Sequence, residues 1–157
     1  PLRSGKGHPF EGGIRVPWIV KWPGVVKSGS TSDTPIISTD IFPTIVNASG
    51  QRLPQDRELD GLDLKPALTG GKLDRDALFW HFPHYRHAPG PYSIIRAGDW
   101  KLIKWYEGPR ALFNLKDDPS EKENRADAMP EIVAKLDKRL IEHLAKISAK
   151  IPYAPAE

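Results

Sequence analysis

Tyr92-Ser93-Ile94-Ile95-Arg96-Ala97-Gly98-Asp99-Trp100-Lys101-Leu102-Ile103-Lys104-Trp105-Tyr106 is the stretch on which the fold turns. Two runs rich in β-branched and aromatic residues flank Gly98-Asp99, which reads as a tight turn between antiparallel strands. Working outward, Ala77-Leu78-Phe79-Trp80-His81-Phe82 lies upstream. Ala111-Leu112-Phe113-Asn114-Leu115 follows a turn at Glu107-Gly108-Pro109. Both share the same character, and the spacing predicts a four-stranded antiparallel meander. In its third strand Trp100, Leu102 and Lys104 alternate with Lys101, Ile103 and Trp105, so the two sets point to opposite faces. Charges on both sets predict that one face is half-buried at best.

Beyond Asp117-Asp118-Pro119, Pro130 opens a helix in which Ile132, Val133, Leu136, Leu140, Ile141, Leu144 and Ile147 recur at helical spacing. Such a stripe has to cover something. The meander offers the sizeable apolar surface nearby, which predicts this helix laid across the sheet.

Upstream of the meander the pattern changes. Residues 14–22, Ile-Arg-Val-Pro-Trp-Ile-Val-Lys-Trp, end at Pro23-Gly24 and predict a short strand, apolar on both faces, of the kind buried inside a larger sheet. Ser38-Thr39-Asp40 precedes Ile41-Phe42-Pro43-Thr44-Ile45-Val46-Asn47-Ala48 and predicts a helix over 40–49 with Asp40 as its cap and Pro43 in its first turn. Residues 51–76 read as a loop with at most a helical turn at Leu64–Leu68, and mark a boundary between an N-terminal part, 1–70, and a C-terminal part, 77–150.

Composition excludes more than it selects. Across 157 residues, 39% are hydrophobic and 27% charged, and 23 Lys+Arg against 20 Asp+Glu leave +3 with the signs interspersed. A basic surface for nucleic acid is not called for, and no apolar run approaches the roughly 18 residues of a membrane span. The absence of cysteine excludes disulfides and thiolate metal sites within the chain.

The candidate chemistry lies near the start, in Gly5-Lys6-Gly7-His8-Pro9-Phe10-Glu11-Gly12-Gly13-Ile14-Arg15-Val16-Pro17. Glycines beside Lys6 let the backbone turn tightly and project an ammonium at an anion without crowding. The pattern fits neither a phosphate-binding P-loop nor a dinucleotide fingerprint, since the required Gly and Ser/Thr positions are otherwise occupied. Glu11 and Arg15 read as an ion pair or backbone clamp, and Gly12-Gly13 as a place of close backbone approach.

This string resembles a sulfatase signature, in which Gly-Lys-Gly, aromatic-Glu-Gly-Gly, Arg-Val-Pro and Trp-Pro-Gly follow one another. Here they stand as Gly5-Lys6-Gly7, Phe10 to Gly13, Arg15 to Pro17 and Trp22 to Gly24. Ser38 to Thr44, Asp60-Gly61 through Gly70, Ile95 to Ile103, and Leu112 to Asn124 are similar to later sulfatase stretches in the same order, so the resemblance covers nearly the whole chain. It implies the α/β, alkaline-phosphatase-like class for the parent and α+β for this chain. Residues 1–70 would close the large domain, and 77–150 would form the antiparallel-sheet-plus-helix subdomain.

The resemblance also implies that Lys6 contacts the substrate sulfate. The family's formylglycine arises within Cys/Ser-x-Pro-x-Arg, and its calcium is held by Asp and Asn side chains. Neither motif occurs here ahead of Lys6, so the chain is expected to be the back part of an enzyme, inactive alone. Its partners would be a sulfated carbohydrate or aryl sulfate and the remainder of the sulfatase chain, with neither nucleic acid nor membrane. A periplasmic or secreted setting is consistent with the resemblance, though the sequence carries no signal for it.

His8, His81, His84 and Tyr85 are the remaining pocket candidates. His81, His84 and His87 are spaced by threes, but Pro83 argues against the helix a metal site would need. The tryptophans read as packing residues rather than a carbohydrate platform. Asp117 to Glu121 reads as turn chemistry rather than a calcium site. A noncatalytic binding module from residue 77 onward, and a phosphonate or phosphate esterase of the same superfamily, are the competing readings.

Overall fold

The structure, a computed structural model, describes residues 1–86 and 88–152. The chain divides into two compact units: Pro1–Pro17 together with Asp76 onward, and Trp18–Arg75.

In the first unit, strands β1 (Leu78–Phe82), β2 (Tyr92–Ala97), β3 (Trp100–Trp105) and β4 (Arg110–Asn114) form one antiparallel sheet in sequential order. Ala97 pairs with Trp100 across Gly98-Asp99, and Ile94 with Ile103, as the alternation requires. Gly98 has φ +57°, a backbone conformation that disfavours a Cβ and explains glycine at this turn. The helix Pro130–Lys146 places Leu136, Leu140 and Leu144 on Ile95, Leu102 and Leu112. Lys104 and Arg110 reach Asp137 on that helix at 3.0 and 2.6 Å.

The opposite face corrects the expectation of a half-buried sheet. Ile94, Ile103 and Phe113 are buried there, with Phe10 and Ile14 packed over them. The cover is the segment around the short helix α1 (Glu11–Ile14). Lys101, whose charge suggested solvent, is fully buried because it has ionic partners on that segment and on the loop after β4. Within this chain Pro1–Pro17 group with the sheet rather than with Trp18–Arg75.

The strand expected over 14–22 is a further correction. Ile14 ends α1, Arg15 is extended at φ −92° and ψ 111°, and residues 15–22 belong to no strand. A β-ribbon needs a neighbour for its backbone N–H and C=O groups, and these residues have none among the described strands. Val16 and Ile19 are 76% and 92% exposed, so apolar composition alone did not produce pairing.

In the second unit, a 3-10 turn at Ser38–Asp40 leads into α2 (Ile41–Ala48), and α3 (Lys65–Leu68) forms the short turn expected in the loop. Asp40 occupies the N-cap position of α2 without a side-chain cap bond to that helix, a correction to the expected cap, and serves as a hub instead. Its carboxylate accepts the Ile37 and Leu62 amides, each at 2.9 Å, and both terminal nitrogens of the Arg75 guanidinium. Thr44 continues the network by donating to the Asp40 carbonyl at 2.6 Å and accepting the Leu64 amide at 2.9 Å. A Cβ on Gly61 would stand 2.0 Å from the Thr39 carbonyl oxygen, so only glycine lets the two segments meet.

Candidate functional site

Lys6 is exposed near the tip of a loop whose base is rigidly held. The Gly12 amide donates to the Arg3 carbonyl at 2.9 Å, closing the loop, and the His8 amide donates to the Gly5 carbonyl at 3.1 Å inside it. A Cβ on Gly12 would fall 2.4 Å from the Arg3 and Ser4 carbonyl oxygens; on Gly13 it would fall 2.2 Å from that of His8. The close approach expected of this glycine pair is thus what folds the loop back on itself.

Beneath the loop, Glu11 is buried and accepts Lys101 Nζ at 3.0 Å, while Arg15 stands 4.0 Å away on the solvent side. Lys101 Nζ is also 2.8 Å from Glu121 Oε1 as an ion pair. The other Glu121 oxygen accepts the Glu11 amide at 2.5 Å. Burial pushes the Glu121 carboxyl above the usual glutamate range, and Lys101 only partly offsets it. Arg3 completes the arrangement by donating to the Glu121 carbonyl at 2.7 Å and lying over the Phe10 ring, 3.9 Å from its centroid.

Beside this loop is a cavity of about 270 Å³, lined in part by Arg3, His8, Phe82, His84, Arg86 and Trp105. Cationic and imidazole groups share its wall with aromatic faces, a combination that can hold an anionic group together with a ring. Lys6 is not itself a lining residue, but its neighbours Gly7 and His8 are.

The histidines expected near the pocket separate. His84 lies on the cavity wall, with its ring 5.0 Å from that of Phe82. Strand alternation carries His81 to the other side of β1, where Nδ1 meets Ser93 Oγ at 2.8 Å and Nε2 meets the Lys150 carbonyl at 3.0 Å. Ser93 Oγ also bonds the Tyr106 hydroxyl at 2.9 Å, so His81 sits in a structural network. Tyr85 is 59% exposed and donates to Glu107, a bond that raises its phenol above the usual range. His87 lies outside the described residues.

Among the described residues no group of three or more His, Cys, Asp or Glu is placed to hold a metal ion. The Asp117–Glu121 stretch forms turn contacts, including the Glu123 amide on Asp118 Oδ2 at 2.9 Å. Trp105 packs with Ile103 and Phe113, and Trp100 with the core under the helix Pro130–Lys146, as expected of packing residues. Among the described residues no helix is long and apolar enough to cross a membrane.

Sequence reasoning missed Lys101, Glu121 and Arg3. The available signal was Lys101 itself, a cation between Trp100 and Leu102 in an inner strand of the sheet, where burial demands a partner.

The sheet-plus-helix unit and its glycine-locked lysine loop define the C-terminal region of a sulfatase. Residues 5–148 match the family described as N-sulphoglucosamine sulphohydrolase, C-terminal, and the chain belongs to that family. A sulfatase of Formosa agariphila is 34% identical over 98% of this chain and 33% of its own length. Human arylsulfatase A is 32% identical over 99% of this chain and 35% of its own. The chain therefore spans about a third of the length of these curated relatives.

Solved structures agree in fold. The crystal structure of Ps i-CgsB superposes with a TM-score of 0.78 at 29% identity, over 90% of this chain and 31% of that one. A protein solved in complex with its substrate, D-glucosamine-2-N,6-O-disulfate, gives 0.69 at 27% identity, over 85% and 29%. The phosphonate monoester hydrolase of Agrobacterium radiobacter gives 0.53 at 30% identity, over 68% and 24%.

Proposed function

We propose that this chain is the C-terminal part of an enzyme that hydrolyses sulfate esters of a sugar or aryl alcohol, and that Lys6 is a cation binding the sulfate. The observation that carries the reading is the loop. Its tight backbone closure at Gly12 and Gly13 holds an exposed ammonium on a base that cannot easily shift. A charge fixed in advance stabilises a developing oxyanion without reorganising during the reaction.

In this proposal His8 and His84 face the organic part of the substrate from the cavity wall, and Tyr85 stands at the rim. His81 supports the sheet from its other side. Residues 1–70 close the large domain of the parent, and 77–150 form its C-terminal subdomain. The sulfated-sugar reading draws on the disulfated glucosamine bound by one structural neighbour. The remainder of the parent chain is the proposed cover for exposed Val16, Ile19, Phe42 and Ile45, since the relatives are about three times as long.

Formylglycine, where sulfatases carry it, supplies an aldehyde-hydrate nucleophile, and calcium orients the sulfate. The chain has no cysteine and, among the described residues, no cluster fit for a metal ion. Both belong to the rest of the parent in this reading, and the isolated chain is predicted not to turn over sulfate esters.

The likeness to a phosphonate monoester hydrolase favours one second reading, a phosphonate ester as substrate. Assaying the full-length parent on 4-nitrophenyl sulfate and 4-nitrophenyl phenylphosphonate side by side separates them. Higher kcat/KM on the sulfate is expected. Turnover confined to the phosphonate would reverse the choice.

A further inference from the structure

Both ends of the loop that bears Lys6 are tied to one residue, Glu121. Its carbonyl oxygen holds the Arg3 guanidinium at 2.7 Å and its carboxylate holds the Glu11 amide at 2.5 Å. The same carboxylate meets Lys101 in β3, which in turn holds the Glu11 side chain at 3.0 Å. All three charged side chains are buried, against a sheet face that includes Ile94, Ile103 and Phe113. Glu121 adopts φ +54°, which few non-glycine residues do, and so aims carbonyl and carboxylate at the two ends of one loop.

Stability alone is a poor account of this arrangement. A buried ionic triad is commonly no more stabilising than apolar side chains of the same volume, whereas it fixes geometry through directional contacts. Beyond the triad, its carboxylates reach the Glu11 amide and, 4.0 Å away, Arg15, and the Glu121 carbonyl reaches Arg3, all on the segment that carries the loop. A cation that must meet a sulfate needs a support held to a fraction of an ångström.

We infer that Glu11, Lys101 and Glu121 are positioning residues for Lys6, acting through the two ends of its loop rather than by touching substrate. The inference rests on the proposed sulfate-binding role of Lys6. Displacement of that ammonium by about 1 Å is enough to cost on the order of a hundredfold in rate.

A double-mutant cycle in the full-length parent tests it, with 4-nitrophenyl sulfate as substrate and rates read well below each variant's melting temperature. Lys6→Ala is expected to lower kcat/KM by about a hundredfold, and Lys101→Met by about tenfold. If Lys101 acts through Lys6, adding Lys101→Met to Lys6→Ala costs less than about twofold more. The same tenfold loss in both backgrounds, or no loss in either, overturns the positioning role.

An unchanged rate for Lys6→Ala alone is a different result: it removes the reading on which the inference stands. Should Lys101→Met fail to fold, Glu121→Gln keeps the volume and an acceptor for the Glu11 amide. Its expected loss is about threefold with Lys6 present and absent without it; equal losses in both backgrounds overturn the inference in the same way.

Discussion

The two compact units solve the problem of a core in opposite ways. The unit built on Asp76 onward covers its sheet on both faces with apolar side chains and, among the described residues, fully buries charge only at Lys101, Glu11 and Glu121. The unit Trp18–Arg75 has few buried apolar residues, chiefly Leu64 and Ala67, and organises itself around the buried carboxylate of Asp40. The first is a hydrophobic structure with an ionic clamp. The second is a polar hub with helical turns attached, and Phe42 and Ile45 remain 51% and 62% exposed.

The difference teaches where a charge change should hurt most. Lys101→Ala leaves two carboxylates facing each other without their cation, and is expected to cost about 3–5 kcal/mol, seen as lost hydrogen-exchange protection in β2 and β3. Arg75→Ala leaves Asp40 its two backbone amides, so a smaller loss of about 2–3 kcal/mol is expected, read in the amides of Ile37 and Leu62. A larger loss for Arg75→Ala than for Lys101→Ala would break the comparison.

Acid should separate the units further. Burial pushes the Asp40 carboxyl up, but Arg75 and the Ile37 and Leu62 amides more than offset this and hold it below the usual aspartate range. The unfolded chain then binds the proton more readily, so the stabilisation is present above the ordinary aspartate value and is lost as pH falls through the lowered one. Glu121 has the opposite sign. Its folded form binds the proton more readily, so its contribution falls as pH rises from the ordinary glutamate value through the raised one. Between pH 7 and pH 4, protection factors corrected for intrinsic exchange should hold steady around Asp40 and rise around Glu11; a fall around Glu11 would contradict the account.

A smaller effect sharpens the view of the loop. Gly13→Ala drives a Cβ to 2.2 Å from the His8 carbonyl oxygen and to 2.7 Å from that of Gly5, and is expected to cost about 1–3 kcal/mol in the thermal unfolding of the first unit. Gly24→Ala serves as the reference, because a Cβ there meets nothing within 4 Å and only the φ of +79° opposes it.

The parts of the fold legible in the sequence are those governed by periodicity. The alternation of Trp100 to Trp105 and the helical recurrence of Leu136, Leu140 and Leu144 specified the sheet, its order and its cover. Residues 14–22 were misread because strand composition needs a partner strand to become a strand, and a partner is not a property of the segment itself. Asp40 was legible as the residue before a helix but not as a hub, since Leu62 and Arg75 are remote in sequence and joined to it only by folding.

The site divides the same way. Gly12-Gly13 announced a close approach, and the structure supplies the carbonyls of Arg3 and His8 that they approach. The link from Lys101 to Glu11 and Glu121 spans the chain, and no local pattern marks it. His81 and His84 are three residues apart yet on opposite sides of the sheet and its edge, because β1 ends between them at Phe82.

Lys6 supplies the most direct measurement. It is exposed near the tip of a loop whose fold depends on other residues, so Lys6→Ala should change unfolding by less than about 0.5 kcal/mol. In the full-length parent the same substitution should lower kcat/KM on 4-nitrophenyl sulfate by about a hundredfold. A variant that unfolds like the parent and turns over the sulfate at the parent's rate would contradict the claim that this loop exists to hold a sulfate-binding cation.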